Sequence, residues 1–447
     1  MGPQTERPRP RSRRDRRRDR PRRHHGQRRR TRRPAPRPPR RRRQPAHAQP
    51  RRGTRRPLPP LPRPVRLRTG PPAPQPRPHQ HPRTHLDQPE PRRIPMTVLD
   101  APAAPPPAAP AGPPLPAATA LALYRAMVTG RAFDRQATAF TRQGRLAVYP
   151  SSHGQEACQT ASVLALRPTD WLFPTYRESV ALLTRGIDPV EVLTLFRGDR
   201  HCGYDPHAHR TAPQCTPLAT QCLHAAGLAD AARMRGHDTV ALAYIGDGAT
   251  SEGDFHEAVN YAAVRRAPVV FLIQNNQYAI SVPLAKQTAA RTLADKAAGY
   301  GAAGVRIDGN DAAAVHTAVA RAAHRARTGG GPTVVEALTY RIEAHTNADD
   351  DTRYRSAEEV AAWADKDPVA RLEHRLLADG VLDEDTLAGI TREAQDLTAR
   401  LRRTFASPPR RDPAEMFQHV YHQPPPHLRS QAALLAAETA AATGEDA

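Results

Sequence analysis

Aromatic residues make up only 5% of the 447 residues, and lysine occurs three times, at Lys286, Lys296 and Lys366. No run of eighteen apolar residues exists, which excludes a membrane-spanning helix. No apolar stretch follows the first arginines, which argues against an N-terminal secretory signal. The four cysteines, Cys158, Cys202, Cys215 and Cys222, form no CxxC pair. That speaks against a zinc ribbon or redox dithiol and for free thiols in a reducing cytoplasm.

Charge is abundant but unevenly placed. The formal net charge is +23. Residues 1–95 hold 32 Arg, no Lys and five acids, a net +27, whereas residues 96–447 hold 35 bases against 39 acids, a net −4. The first 95 residues contain no Phe, Trp or Tyr. Such a segment buries too little apolar surface to offset the entropy of ordering and is expected to be disordered. Three readings compete for it. Clustered arginines suit a phosphate-binding arm, but no aromatic platform is present for bases to stack on. The run Pro57-Leu58-Pro59-Pro60-Leu61-Pro62 suits a Pro-rich ligand. The reading adopted is the third: a disordered Arg/Pro-rich segment outside the functional protein, either an inert tail or a start mis-set ahead of Met96, with nucleic-acid binding the less favoured alternative. The scarcity of lysine points to GC-rich coding DNA, whose leader read in frame yields Arg, Pro, Ala and Gly. Residues 96–117 read as an Ala/Pro linker.

From residue 118 the pattern becomes that of a folded chain. Leu121, Tyr124 and Val128 fall at helical spacing over 118–143. Helices are predicted over 155–166, up to residue 185, and over 217–235, with an irregular stretch at 198–215. Residues 239–245 and 269–273 are apolar strand runs, joined by a helix over 254–266 with Asp254 as N-cap. A strand at 305–307, a helix at 311–327 and a strand at 333–339 repeat the alternation. After Tyr354 only helical patterns remain, to about residue 401 and again over 429–442. This order predicts an α/β domain over 118–355, a parallel sheet flanked by helices, followed by a helical C-terminal extension over 356–447.

Ligands of open parallel sheets bind beyond the carboxyl ends of the strands. Two such ends are polar here: Gly246-Asp247-Gly248-Ala249 and Asn275-Asn276-Gln277-Tyr278. Each alone is equally a tight turn. Together, at the ends of strands linked by one helix, they are a more specific signal. A carboxylate, an amide oxygen and a nearby backbone carbonyl are hard ligands suited to Mg²⁺, which shares its coordination with substrate phosphates. Gly246 and Gly248 would let the backbone approach those phosphates, and the helix near Asp254 would add its dipole.

The stretch GDGATSEGDFHEAVNYAAVRRAPVVFLIQNNQYAIS resembles the thiamin diphosphate motif in the alpha subunit of the decarboxylating component of 2-oxo acid dehydrogenase complexes. HGQEA (153–157), FPTYRES (173–179), TPLATQ (216–221), DGND (308–311) and TYRIEAHTNADDDTRYR (339–355) follow the same family in order. The resemblance implies a thiamin diphosphate-binding fold in which Asp247, Asn276 and the Tyr278 carbonyl bind Mg²⁺. It implies that Tyr176 and Arg177 hold the diphosphate and that Thr216, Leu218, Gly248 and Ala249 line the cofactor. His345 takes the place of the active-site histidine, managing protons and charge while a lipoyl group is acylated. Arg341, Asp349, Tyr354 and Arg355 would order the loop around it. Three positions depart from the family: Thr175 stands where some relatives have glutamine, Gln274 where an arginine contacts phosphate, and Val148 where some branched-chain enzymes are aromatic. The resemblance also implies partners: a beta subunit in an α₂β₂ assembly, supplying the missing half of the active site, and the lipoyl domain of a dihydrolipoyl acyltransferase. The substrate implied is a small 2-oxo acid. MFQHVYHQPPPHLRSQ (416–431) is similar to the branched-chain, 3-methyl-2-oxobutanoate enzymes, with pyruvate as the alternative and acetoin third.

Overall fold

The computed structural model describes residues 114–198, 201–407, 413–418 and 420–444. The readings for residues 1–95 and for most of the Ala/Pro linker lie outside the described residues.

The strand-forming runs become a five-stranded, wholly parallel sheet of β1 (Trp171–Phe173), β2 (Ala241–Gly246), β3 (Val269–Asn275), β6 (Ala303–Asp308) and β7 (Thr333–Leu338), in the order β1-β2-β3-β7-β6. A two-stranded hairpin, β4 (Tyr278–Ala279) with β5 (Val282–Pro283), projects after β3. The central strands β2 and β3 are apolar and buried from Ala241 to Ile245 and from Val269 to Ile273 because both faces are covered, as parallel sheets require. Successive side chains divide between two cores. Leu242 and Tyr244 of β2 and Val270 and Leu272 of β3 enter one, while Ala243, Ile245, Phe271 and Ile273 enter the other.

Helices α1 (Ala117–Arg142) and α2 (Glu156–Leu164) contribute to the first core. Between them and the next strands lie α3 (Ser179–Thr184) and two single turns, α4 (Pro189–Val192) and α5 (Pro206–His209). The second core is covered by α6 (Thr220–Met234) and α7 (Gly253–Arg265). On the first face, α8 (Ala312–Arg325) is capped by Asp311, whose side chain accepts from the amides of Ala313 and Ala314. The helical C-terminal region comprises α9 (Ala357–Ala364), α10 (Pro368–Ala378), α11 (Glu384–Thr404) and α12 (Pro426–Gly444). Leu372, Leu376 and Ile390 from α10 and α11 join the first core. No helix among the described residues is long and apolar enough to cross a membrane, and all four cysteines are free.

One capping expectation is corrected. Asp254 is not the N-cap of α7; Glu252 holds that place with extended backbone and no side-chain cap. Asp254 lies inside the first turn and accepts from Thr220 Oγ1 at 3.1 Å, tying α6 to α7. A 3₁₀ turn, Gly248–Ser251, intervenes between β2 and α7, so the segment at the strand tip is that turn and not the helix start. Likewise α6 begins at Thr220, not at residue 217, because Ala219 before it adopts φ +65°.

Candidate functional site

Strands β2 and β3 are adjacent and in parallel register up to Gly246 opposite Gln274. Their carboxyl tips therefore open into one cavity of about 210 Å³. Nine of the residues expected at the site border it: Tyr176, Arg177, Leu218, Asp247, Gly248, Ala249, Asn276, Tyr278 and His345. Thr216 does not, and neither does Val148, which is 39% exposed elsewhere.

Asp247, Asn276 and Tyr278 converge. The inward end of the Asn276 amide lies 3.2 Å from Asp247 Oδ1 and 3.0 Å from the Tyr278 carbonyl oxygen. With its nitrogen inward, the amide donates to both. With its oxygen inward, three oxygens face one another, an arrangement that a cation satisfies. Neighbouring ligands of an octahedral ion with bonds of about 2.0–2.1 Å lie roughly 3 Å apart, so the spacing suits Mg²⁺. The donor set is one carboxylate and two neutral oxygens. No cluster of three or more His, Cys, Asp or Glu that could hold a metal exists among the described residues. Gln287 Nε2 donates to the other oxygen of Asp247, Oδ2, at 2.6 Å and to the Val282 carbonyl at 2.9 Å, fixing the carboxylate plane. Burial pushes the Asp247 carboxyl above its usual range, partly countered by the Gln287 bond.

Across the cavity, Arg177 and Arg341 are 5% and 1% exposed. Every hydrogen-bond partner of these two guanidiniums among the described residues is neutral. Arg177 donates to the Ser151 carbonyl at 2.8 Å, and Arg341 to the Ile280 carbonyl at 2.9 Å and the Tyr354 hydroxyl at 2.8 Å. Both approach His345 Nδ1, at 3.1 and 3.2 Å. Two buried cations without a carboxylate between them have the chemistry to accept an anionic group. Nδ1 accepts from arginines, so the imidazole proton resides on Nε2. Burial, then the charges of Arg177 and Arg341, push the His345 pKa down to about 3. His345 is a neutral hydrogen-bond donor. Its backbone amide is held by Asp349 Oδ2 at 2.9 Å.

Sequence reasoning missed several residues that shape the cavity. Glu178 is 1% exposed and accepts from the Thr175 amide at 2.5 Å, from the Thr175 hydroxyl and from Gln274 Nε2 at 2.6 Å. Two of the departures from the family thus meet on one carboxyl, which burial pushes upward. Asn275, the first of the asparagine pair, turns away from the cavity and donates to Glu336 on β7 at 2.8 Å. Its side-chain oxygen accepts from Gln277 Nε2 at 2.9 Å, which steadies Gln277 at φ +77°. Glu359 of α9 accepts from the hydroxyls of Tyr278 and Tyr340. Gln155 lay within the HGQEA match but carried no independent signal of its own.

The two glycines of the first tip differ. A Cβ at Gly248 would lie 2.5 Å from the Ala279 Cβ of the hairpin, while one at Gly246 meets nothing within 4 Å. Gly246 leaves open space for a ligand; Gly248 lets the hairpin close over the tip. Gly248→Ala is expected to cost about 1–3 kcal/mol by overpacking, and Gly246→Ala less. Urea denaturation of the two variants checks the order.

Residues 124–401 match the dehydrogenase E1 component family. The chain is 47% identical over 326 residues to the 3-methyl-2-oxobutanoate dehydrogenase subunit alpha of Mycobacterium tuberculosis, covering 73% of this chain and 89% of that protein. It is 43% identical over 264 residues to the pyruvate dehydrogenase E1 component subunit alpha of Staphylococcus aureus, covering 59% of this chain and 71% of that protein.

Proposed function

The chain belongs to the dehydrogenase E1 component family as an alpha subunit and an oxidoreductase of the 2-oxo acid dehydrogenase class, and we propose that it acts on branched-chain 2-oxo acids such as 3-methyl-2-oxobutanoate, with acyl transfer to a lipoyl group. The observation that carries the site assignment is the convergence of Asp247, Asn276 and the Tyr278 carbonyl opposite two buried arginines. Asp247, Asn276 and Tyr278 would hold Mg²⁺, and Arg177 with Tyr176 the diphosphate of thiamin diphosphate. When bound, the cofactor supplies the electron sink that lets a 2-oxo acid lose CO₂. Leu218, Gly248 and Ala249, which border the cavity, would line the cofactor together with Thr216. His345 stabilises developing negative charge through its Nε2–H.

The proposed partners are a beta subunit in an α₂β₂ assembly and the lipoyl domain of a dihydrolipoyl acyltransferase. In favour of the first, the described residues contain one parallel sheet, and the cavity therefore has one α/β domain behind it. The four free thiols support a cytoplasmic setting. Domain limits of 118–355 and 356–447 complete the assignment.

Branched-chain substrates are preferred on the greater identity and coverage of the mycobacterial relative. Co-expression with candidate beta subunits, comparing 3-methyl-2-oxobutanoate with pyruvate, tests it. Faster turnover of the branched acid is expected, and a strong preference for pyruvate would reassign the substrate without touching the family.

A further inference from the structure

Beside the three converging oxygens lies Gln155, fully buried at the N-cap of α2 and bordering the same cavity. Its backbone is fixed. Its amide donates to the Ser152 carbonyl at 2.9 Å, and the preceding Gly154, at φ +94°, abuts the Tyr340 carbonyl so closely that a Cβ would come within 2.5 Å of it. Gln155 Oε1 faces Asn276 Nδ2 at 3.4 Å, while Gln155 Nε2 has no hydrogen-bond partner.

We propose that Gln155 is a positioning residue that decides which end of the Asn276 amide faces the metal seat. The inference rests on the metal reading given above. The two amides form a coupled pair. When Gln155 offers its oxygen, Asn276 points nitrogen outward and oxygen inward; that oxygen accepts from the Tyr278 amide at 3.3 Å and joins Asp247 and the Tyr278 carbonyl as a third ligand. When both amides turn over, Gln155 Nε2 gains the Asn276 oxygen as a partner, and the Asn276 nitrogen donates to Asp247 Oδ1 and the Tyr278 carbonyl. The second state needs no cation but takes from the Tyr278 amide its acceptor, the Asn276 oxygen; the first places three oxygens together and needs a cation. Cation binding is therefore coupled to a concerted turn of both amides, after which Gln155 Nε2 is free to donate to an acceptor in the cavity.

The test measures Mn²⁺ affinity by electron paramagnetic resonance on the full chain with thiamin diphosphate. Gln155→Met removes both bonding modes and leaves Asn276 to turn its nitrogen inward, so a loss of about 10- to 100-fold is expected. Gln155→Glu, which offers an acceptor, should retain wild-type affinity. Asn276→Asp has no N–H to turn inward, and Gln155→Met in that background should change affinity by less than about threefold. The metal-free melting temperature of Gln155→Met should stay near that of the wild type. Wild-type affinity in Gln155→Met, or an equal loss in the Asn276→Asp background, would overturn the inference. If Asp247→Ala binds Mn²⁺ as the wild type does, the metal reading itself fails and the inference falls with it.

Discussion

Replacing Asp247 by alanine is expected to lower the Mg²⁺-dependent affinity for thiamin diphosphate by more than about 100-fold, beyond the roughly 10–100-fold typical of partners one step removed from a metal. The change removes the only carboxylate of the converging trio. It also removes a pH dependence with a definite sign. Burial raises the Asp247 carboxyl above its ordinary 3.8, and a metal must displace that proton. Binding should strengthen as pH rises through the raised value, with a proton released. The metal-free chain should slope the other way. A carboxyl raised on folding contributes stability that is full below 3.8 and fades as pH rises through its folded value. Titration calorimetry in buffers of different ionisation enthalpy reads the proton, and metal-free melts read the stability. Unaltered cofactor binding in Asp247→Ala would refute the ligand assignment.

His345→Ala is expected to slow acyl transfer to the lipoyl group by about 10²–10³-fold, the usual cost of losing one donor aimed at developing charge. Cofactor affinity should change little, because Arg177 and Arg341 remain. His345→Gln, which keeps an N–H donor, should recover part of the rate. The neutral state leads to a further expectation. With its pKa pushed to about 3 by burial and the flanking arginines, His345 in the cofactor-free chain should show no titration near 6.5 by NMR. A midpoint there would contradict the donor role.

The parallel sheet and both polar strand tips were legible from the sequence, because uninterrupted apolar runs ending in glycine or asparagine have few other uses. The loop that carries His345 came from resemblance alone; nothing in the composition of residues 339–355 announces a catalytic side chain. Asp254 was misjudged because an acid before a helical run looks like a cap, and the intervening 3₁₀ turn has no signature of its own. Glu178, Gln155 and Gln287 stayed hidden for a different reason. Their roles exist only once segments up to 121 residues apart come together, as Asn276 does with Gln155, and no local pattern encodes that meeting.

Asn275 and Asn276 face opposite ways, one locked to Glu336 across the sheet and the other turned to the cavity. Identity of the two side chains conceals a division of labour set by parity alone. Deleting one residue within β3 would bring Asn276 to the place that faces Glu336 and Gln277 to the ligand position, and would swing the carbonyl of Tyr278 out of line. The counting of residues along that strand, and not their chemistry, is the site's most brittle dimension.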